Sequence, residues 1–203
     1  MIGIIKYGAG NIFSVMACIK KIGEDCYFIE EGKDIEKAEY IILPGVGNFA
    51  NGIEFLNKNG LTEKIKEKLK EGIPFLGICL GLQLLFEFSE EGNKRGMNIL
   101  KGKVIKFKNI NLKIPHMGWN KLEVLKGSRL LDGISENAYF YFAHSYYVLP
   151  EENDIIYGKT EYGIKFPSLI IKKNIVGVQF HPEKSGEKGL KFIKNFLEKK
   201  WLQ

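Results

Sequence analysis

A chain of 203 residues, 45% hydrophobic and 27% charged, has the composition of one well-packed globular unit, which excludes disordered, collagen-like and disulfide-scaffold proteins. The net charge of +6 is almost all lysine, since Arg95 and Arg129 are the only arginines, and in LTEKIKEKLKEG and SGEKGLKFIKNFLEKK the lysines alternate with glutamates, as on solvated helix faces rather than a nucleic-acid footprint. No run approaches the roughly 18 apolar residues of a membrane span, no basic stretch leads into the first apolar one as in a signal peptide, and Cys18, Cys26 and Cys79 form no framework, so a reducing, cytoplasmic setting is expected.

In chain order, IGIIKY reads as a strand, NIFSVMACIKKI as a helix, CYFIE and YIILPG as strands, LTEKIKEKLKEG as a helix and IPFLGI as a strand, followed by a helix from Leu80 to about Phe88. Leu61, Ile65 and Leu69 give the second helix an apolar face, and the strands are nearly continuous Ile, Leu, Tyr and Phe. Strands buried on both faces predict a parallel sheet covered by helices, hence an α/β fold. From about residue 100 the strands crowd together (GKVIKFK, NKLEVL, NAYFYFAHSYYVL, DIIYGKT, SLIIKKNIVGVQF), which predicts antiparallel pieces extending the sheet in the C-terminal half. A last amphipathic helix carries Leu190, Ile193, Leu197 and Trp201 on one side. No linker or repeat interrupts the chain, so one domain over residues 1–203 is expected.

Cys79 stands in a G-x-C-x-G setting (Gly77, Cys79, Gly81) between a predicted strand and a predicted helix. This is the thiol counterpart of a nucleophile elbow, in which a sharp turn holds the attacking atom above the sheet edge. A helix beginning at Leu80 would aim its N-terminal N–H groups at the sulfur and favour the thiolate. The thiol also needs a base within hydrogen-bond reach. Of three histidines, His181 follows the strand NIVGVQF, and period-two alternation sends Gln179, His181 and Glu183 to one side. Glu183 could then fix the tautomer of His181 and stabilise its imidazolium, as the third member of a triad does. Donors for a developing oxyanion are available from the backbone of Leu80 and from Gly45 or Val46 in the loop PGVG. His116 and His144 lie among aromatic residues and read as satisfied core or edge histidines. No histidine pair has metal-ligand spacing, so no metal is expected, and YGAGN is not GxGxxG, so neither is a dinucleotide; no cofactor is called for.

With these residues assembled, the chain resembles the class I, triad-type glutamine amidotransferases through LPGVG, GICLGLQ and VGVQFHPEKS. Within that class YGAGN, PHMGWN and YFAHSYYV make it similar to the glutaminase subunits of imidazole glycerol phosphate synthases. The matches run from residue 7 to 185, and only Asn48, where a small residue is expected, departs from the pattern. The resemblance implies a flavodoxin-like sheet and hydrolysis of glutamine to glutamate and ammonia through a Cys79 thioester, with Gln83 contacting bound glutamine. It implies a heterodimer with a (β/α)8-barrel cyclase subunit that uses the ammonia to form imidazole glycerol phosphate and aminoimidazole carboxamide ribotide in histidine biosynthesis. Asn11, Tyr141 and Lys184 match positions near that interface. Family behaviour also implies slow hydrolysis until the barrel holds its substrate. Three alternatives stay open at this point: an amidotransferase subunit of another synthase, such as that for pyridoxal phosphate; a solitary hydrolase of the same architecture; and a non-catalytic interaction module.

Overall fold

Short apolar strands alternating with amphipathic helices build the first half of the chain. The computed structural model describes residues 1–7 and 12–202. In chain order its elements are β1 (Ile2–Ile5), α1 (Ile12–Ile22), β2 (Cys26–Ile29), β3 (Tyr40–Leu43), α2 (Phe49–Lys58), α3 (Leu61–Lys70), β4 (Phe75–Ile78) and the single turn α4 (Leu80–Gln83). The remainder comprises β5 (Phe86–Ser89), β6 (Lys94–Arg95), β7 (Leu100–Lys106), β8 (His116–Lys121), β9 (Glu123–Val124), β10 (Tyr139–His144), β11 (Tyr146–Pro150), β12 (Ile156–Glu161), β13 (Lys165–Lys172), β14 (Ile175–Val178) and α5 (Gly186–Leu197).

The main sheet has the order β2-β1-β3-β4-β14-β13-β12-β9. Pairings from β2 through β14 are parallel, and those of β13, β12 and β9 antiparallel. Ile4, Ile42, Leu76 and Val176 pack with α1 and α5 through Val15, Ile19, Phe192 and Phe196. On the other face Ile5, Ile41, Leu43 and Phe75 meet Ile53, Leu56, Leu61 and Ile65 of α2 and α3. Burial on both faces is why these strands show no polar alternation. Each fully buried side chain of this kind contributes about 1.5–3 kcal/mol, and this core is what holds the strand ends in place. Among the described residues no helix is long and apolar enough to cross a membrane.

The mostly parallel, helix-flanked sheet with added antiparallel strands is the expected one, but several elements differ. The helix foreseen from Leu80 to Phe88 is one turn, and Phe86–Ser89 is a strand paired with β7 and β6. The run NAYFYFAHSYYVL is not one strand. It breaks at Ser145, so β10 pairs with β8 in a two-stranded ribbon while β11 pairs with β7 in a four-stranded sheet; only β9, β12 and β13 extend the main sheet. The helix α2 has no counterpart in the sequence reading. Asn48 is its N-cap, accepting hydrogen bonds from the N–H groups of Ala50 and Asn51 at 2.8 and 3.3 Å, which gives the departure at this position a local reason. Finally, α5 stops at Leu197 and buries Phe192, Ile193 and Phe196 rather than Leu190. Trp201 returns on a separate turn, stacking on Phe196 and donating to its carbonyl at 2.8 Å.

Candidate active site

The C-terminal ends of three neighbouring parallel strands, β3, β4 and β14, supply the site, as expected for an open α/β sheet. Directly after β4, Cys79 adopts φ 52° and ψ −104°, a region that a side chain occupies only under strain. The turn is tight enough that a Cβ on Gly81 would lie 1.9 Å from the Leu43 carbonyl oxygen at the end of β3. The elbow predicted from the glycine spacing is therefore present. The helix that follows is a single turn, Leu80–Gln83, and four residues sum to little dipole.

His181 is not on a strand. Its N–H donates to the Tyr141 carbonyl at 2.8 Å, an isolated bridge that ties the β8–β10 ribbon to the end of β14, and Ser185 Oγ donates to the His181 carbonyl at 2.6 Å. A helical turn, Pro182–Lys184, then folds Glu183 back so that its Oε1 meets His181 Nδ1 at 2.8 Å. Turn geometry, rather than strand alternation, brings these two together. Both side chains are 0% exposed. Burial alone would push the imidazole toward neutrality, but the charge of Cys79 and a hydrogen bond to it, with the Glu183 carboxylate on the other nitrogen, outweigh burial and raise His181 to about 10. Cys79, His181 and Glu183 thus form one connected group, with Cys79 as a residue 6% exposed.

A cavity of about 190 Å³ opens over the sulfur, lined by Gly45, Val46, Gly47, Cys79, Leu80, Gln83, Glu91, Ala143 and Tyr146 among others. A concavity of about 960 Å³ lies at the opposite, N-terminal end of β14, around Lys66, Lys70 and Asn174; no cysteine, histidine or carboxylate is among its described lining residues, so chemistry and not size identifies the site. Gly45, Val46 and Leu80, the predicted oxyanion donors, come together here. Gln83 also lines the cavity, yet its Nε2 is committed to the Tyr146 carbonyl at 3.0 Å and Gln179 Oε1 at 3.1 Å. Any contact it makes with a substrate runs through its oxygen, as an acceptor. Gln179 in turn points Nε2 at Cys79 Sγ, 3.4 Å away, and the Ala143 carbonyl lies 3.9 Å from the sulfur.

Glu91, which the sequence reading did not single out, is the one carboxylate among the described lining residues. Its Oε2 accepts the Phe49 N–H at 2.8 Å, and no local signal in the sequence marks it. His116 and His144 are satisfied core histidines, as expected. His144 Nδ1–H must donate to the Tyr146 carbonyl, 2.7 Å away, so its Nε2 accepts from His116 Nδ1–H at 2.9 Å and His116 Nε2 accepts from Asn120 Nδ2 at 3.1 Å. Desolvation lowers His116 to about 4 and His144 to about 3. Tyr141 and Lys184 lie beside the triad, with Lys184 Nζ 5.8 Å from the Tyr141 ring and Trp119 edge-on to it at 6.2 Å. Asn11 lies outside the described residues.

A family model described as Glutamine amidotransferase class-I matches residues 5–200. The chain is 52% identical to the imidazole glycerol phosphate synthase subunit HisH of Caldanaerobacter subterraneus subsp. tengcongensis, covering 98% of each protein. It is 50% identical to the HisH subunit of Methanocaldococcus jannaschii, covering 98% of this chain and 99% of that one. Among solved structures, a glutamine amidotransferase and PurLQS from Thermotoga maritima each superpose with a TM-score of 0.76 at 17% identity over 97% of both chains; these support the fold alone.

Proposed function

Since the chain belongs to the class-I glutamine amidotransferases, and among them to the HisH subunits of imidazole glycerol phosphate synthase, we propose that Cys79, His181 and Glu183 are the triad with which it hydrolyses glutamine. The chain is an enzyme subunit of histidine biosynthesis. The observation that carries the residue assignment is the strained elbow at Cys79, whose sulfur interacts with an imidazole that Glu183 holds at 2.8 Å.

In this reading the Cys79 thiolate, paired with the His181 imidazolium, attacks the side-chain amide carbon of glutamine. The tetrahedral oxyanion is stabilised by the Leu80 N–H and an N–H of Gly45 or Val46. His181 gives its proton to the departing nitrogen, ammonia leaves, and a glutamyl thioester remains on Cys79. Water, deprotonated by His181, then releases glutamate. Glu183 keeps the ring oriented and the imidazolium stable throughout. Glu91 supplies a negative charge for the substrate's α-ammonium group, and Gln83 an acceptor oxygen.

Ammonia set free in neutral water would be protonated and lost as a nucleophile, so its consumer must be docked over the site. The relatives' names make them subunits of a complex. We assign the partner here as the (β/α)8-barrel cyclase subunit, in a cytoplasmic heterodimer. Tyr141 and Lys184, next to the exposed Trp119 and Met117 (57% and 65% exposed), offer an aromatic, cationic surface adjoining His181 for this contact. The test is glutamine hydrolysis by this chain alone, with the barrel subunit, and with the barrel holding its nucleotide substrate. A large rise in the last condition is expected. Equal rates in all three would remove the partner assignment, and no hydrolysis in any would remove the glutaminase reading.

A further inference from the structure

The register of β4 and β14 pairs Ile78 with Val178, and the Cys79 N–H donates to the Val178 carbonyl at 2.7 Å. The next residue, Gln179, therefore rises beside the nucleophile. It is fully buried, and its own N–H is tied to the Ser168 carbonyl at 3.0 Å. An amide side chain can be turned either way, but here its orientation is fixed from a distance. The Tyr146 carbonyl can only accept, so Gln83 must present Nε2 to it; Gln83 Nε2 then donates onward, so Gln179 must present Oε1 to Gln83 and Nε2 to the sulfur. His144 anchors the same carbonyl from the other side.

We propose that Gln179 is a further catalytic residue of this site: its side-chain N–H, locked toward Cys79 by Gln83 and the Tyr146 carbonyl, is a fixed hydrogen-bond donor that favours the ionised sulfur and holds it in place for attack. The proposal rests on Cys79 being the nucleophile. A sulfur this buried receives little help from water, and the Ala143 carbonyl, 3.9 Å away, favours the S–H form. A hydrogen bond to a charged atom is about twice as strong as one between neutral groups, so a permanent donor shifts the balance toward thiolate. His181 with Glu183 faces the sulfur from the end of β14, and His144 and Glu91 line the cavity walls. Gln179 differs from all of these in being a donor that does not titrate.

The test needs no turnover. Alkylation of Cys79 by iodoacetamide is followed against pH by mass spectrometry of its own peptide in the wild type, Q179M and Q179E, with thermal melts to establish folding and wild-type glutamine hydrolysis as an independent check of the function. The midpoint of alkylation is expected to rise by about one pH unit or more in Q179M, roughly tenfold less thiolate at a given pH, and further in Q179E, which puts a carboxylate at the sulfur. A folded Q179M with the wild-type midpoint would overturn the proposal, since loss of packing alone moves the melt and not this midpoint. In the unaltered chain the side-chain amide signals of Gln179 should shift in NMR spectra as Cys79 titrates. Signals that stay still through that titration would overturn it even where neither variant folds.

Discussion

His181 and the His116–His144 pair are all buried (0%, 2% and 6% exposed), yet their imidazoles move in opposite directions. His181 is raised to about 10 because burial is overcome by the Cys79 sulfur and the Glu183 carboxylate. His116 and His144 fall to about 4 and about 3 because burial is opposed by no anionic partner: they hydrogen-bond each other, Asn120 and the Tyr146 carbonyl, and the charge of His181 lowers His144 further. Depth alone makes a histidine inert; a paired charge at the same depth makes it a proton carrier.

Removing the sulfur is the hardest blow to the first environment. C79A should lower glutamine hydrolysis on the order of 10⁴-fold or more in a steady-state assay, with the melt little changed. E183Q keeps a hydrogen-bonding partner for His181 but takes away the charge, and a loss on the order of 10²–10⁴-fold in kcat is expected. An E183Q enzyme with wild-type rate would mean that the carboxylate, and with it the contrast drawn above, is irrelevant to the chemistry. G45A should cost about 10²-fold or more in kcat with a smaller change in KM, since a Cβ there would sit 2.7 Å from Leu80 Cβ and push the loop off the oxyanion position.

The second environment should declare itself in stability rather than rate. With lowered folded-state values, His116 and His144 stay neutral while the unfolded chain takes up protons below about 6.5, so stability is intact above that pH and declines as pH falls toward 4. His181 acts with the opposite sign: its contribution is full below about 6.5 and is lost as pH rises through about 10. Melting temperatures should therefore fall on acidification from about pH 6.5 to about 4.5, the window of the His116 and His144 shifts, and the fall should shrink in H144Q. An acid slope unchanged in H144Q would show that other groups govern it.

The triad was legible because its signals are local: two glycines around one cysteine, and a histidine and glutamate two residues apart across Pro182. What the sequence obscured depends on tertiary placement. LGLQLLFEF is apolar without a clear period, so the switch from the turn α4 to the strand β5 could not be told from one continuous helix. The break at Ser145 is set by which neighbours β10 and β11 find, not by composition. The helix α2 does carry a signal, an Asn48 cap followed by Phe49, Ile53 and Leu56 at helical spacing, but it directly follows the PGVG turn, whose glycines point to a loop. Gln179 lies inside VGVQFHPEKS, but only strand register shows that it meets the sulfur; Glu91 carries no motif, and an N–H from Phe49 holds it at the cavity.

The most direct measurement is labelling by a glutamine-like electrophile, read residue by residue. The account predicts one equivalent bound at Cys79, with Cys18 and Cys26 spared and the rate sharply reduced in H181A. Modification spread over the other cysteines, or a Cys79 that reacts no faster when His181 is present than when it is absent, would contradict it.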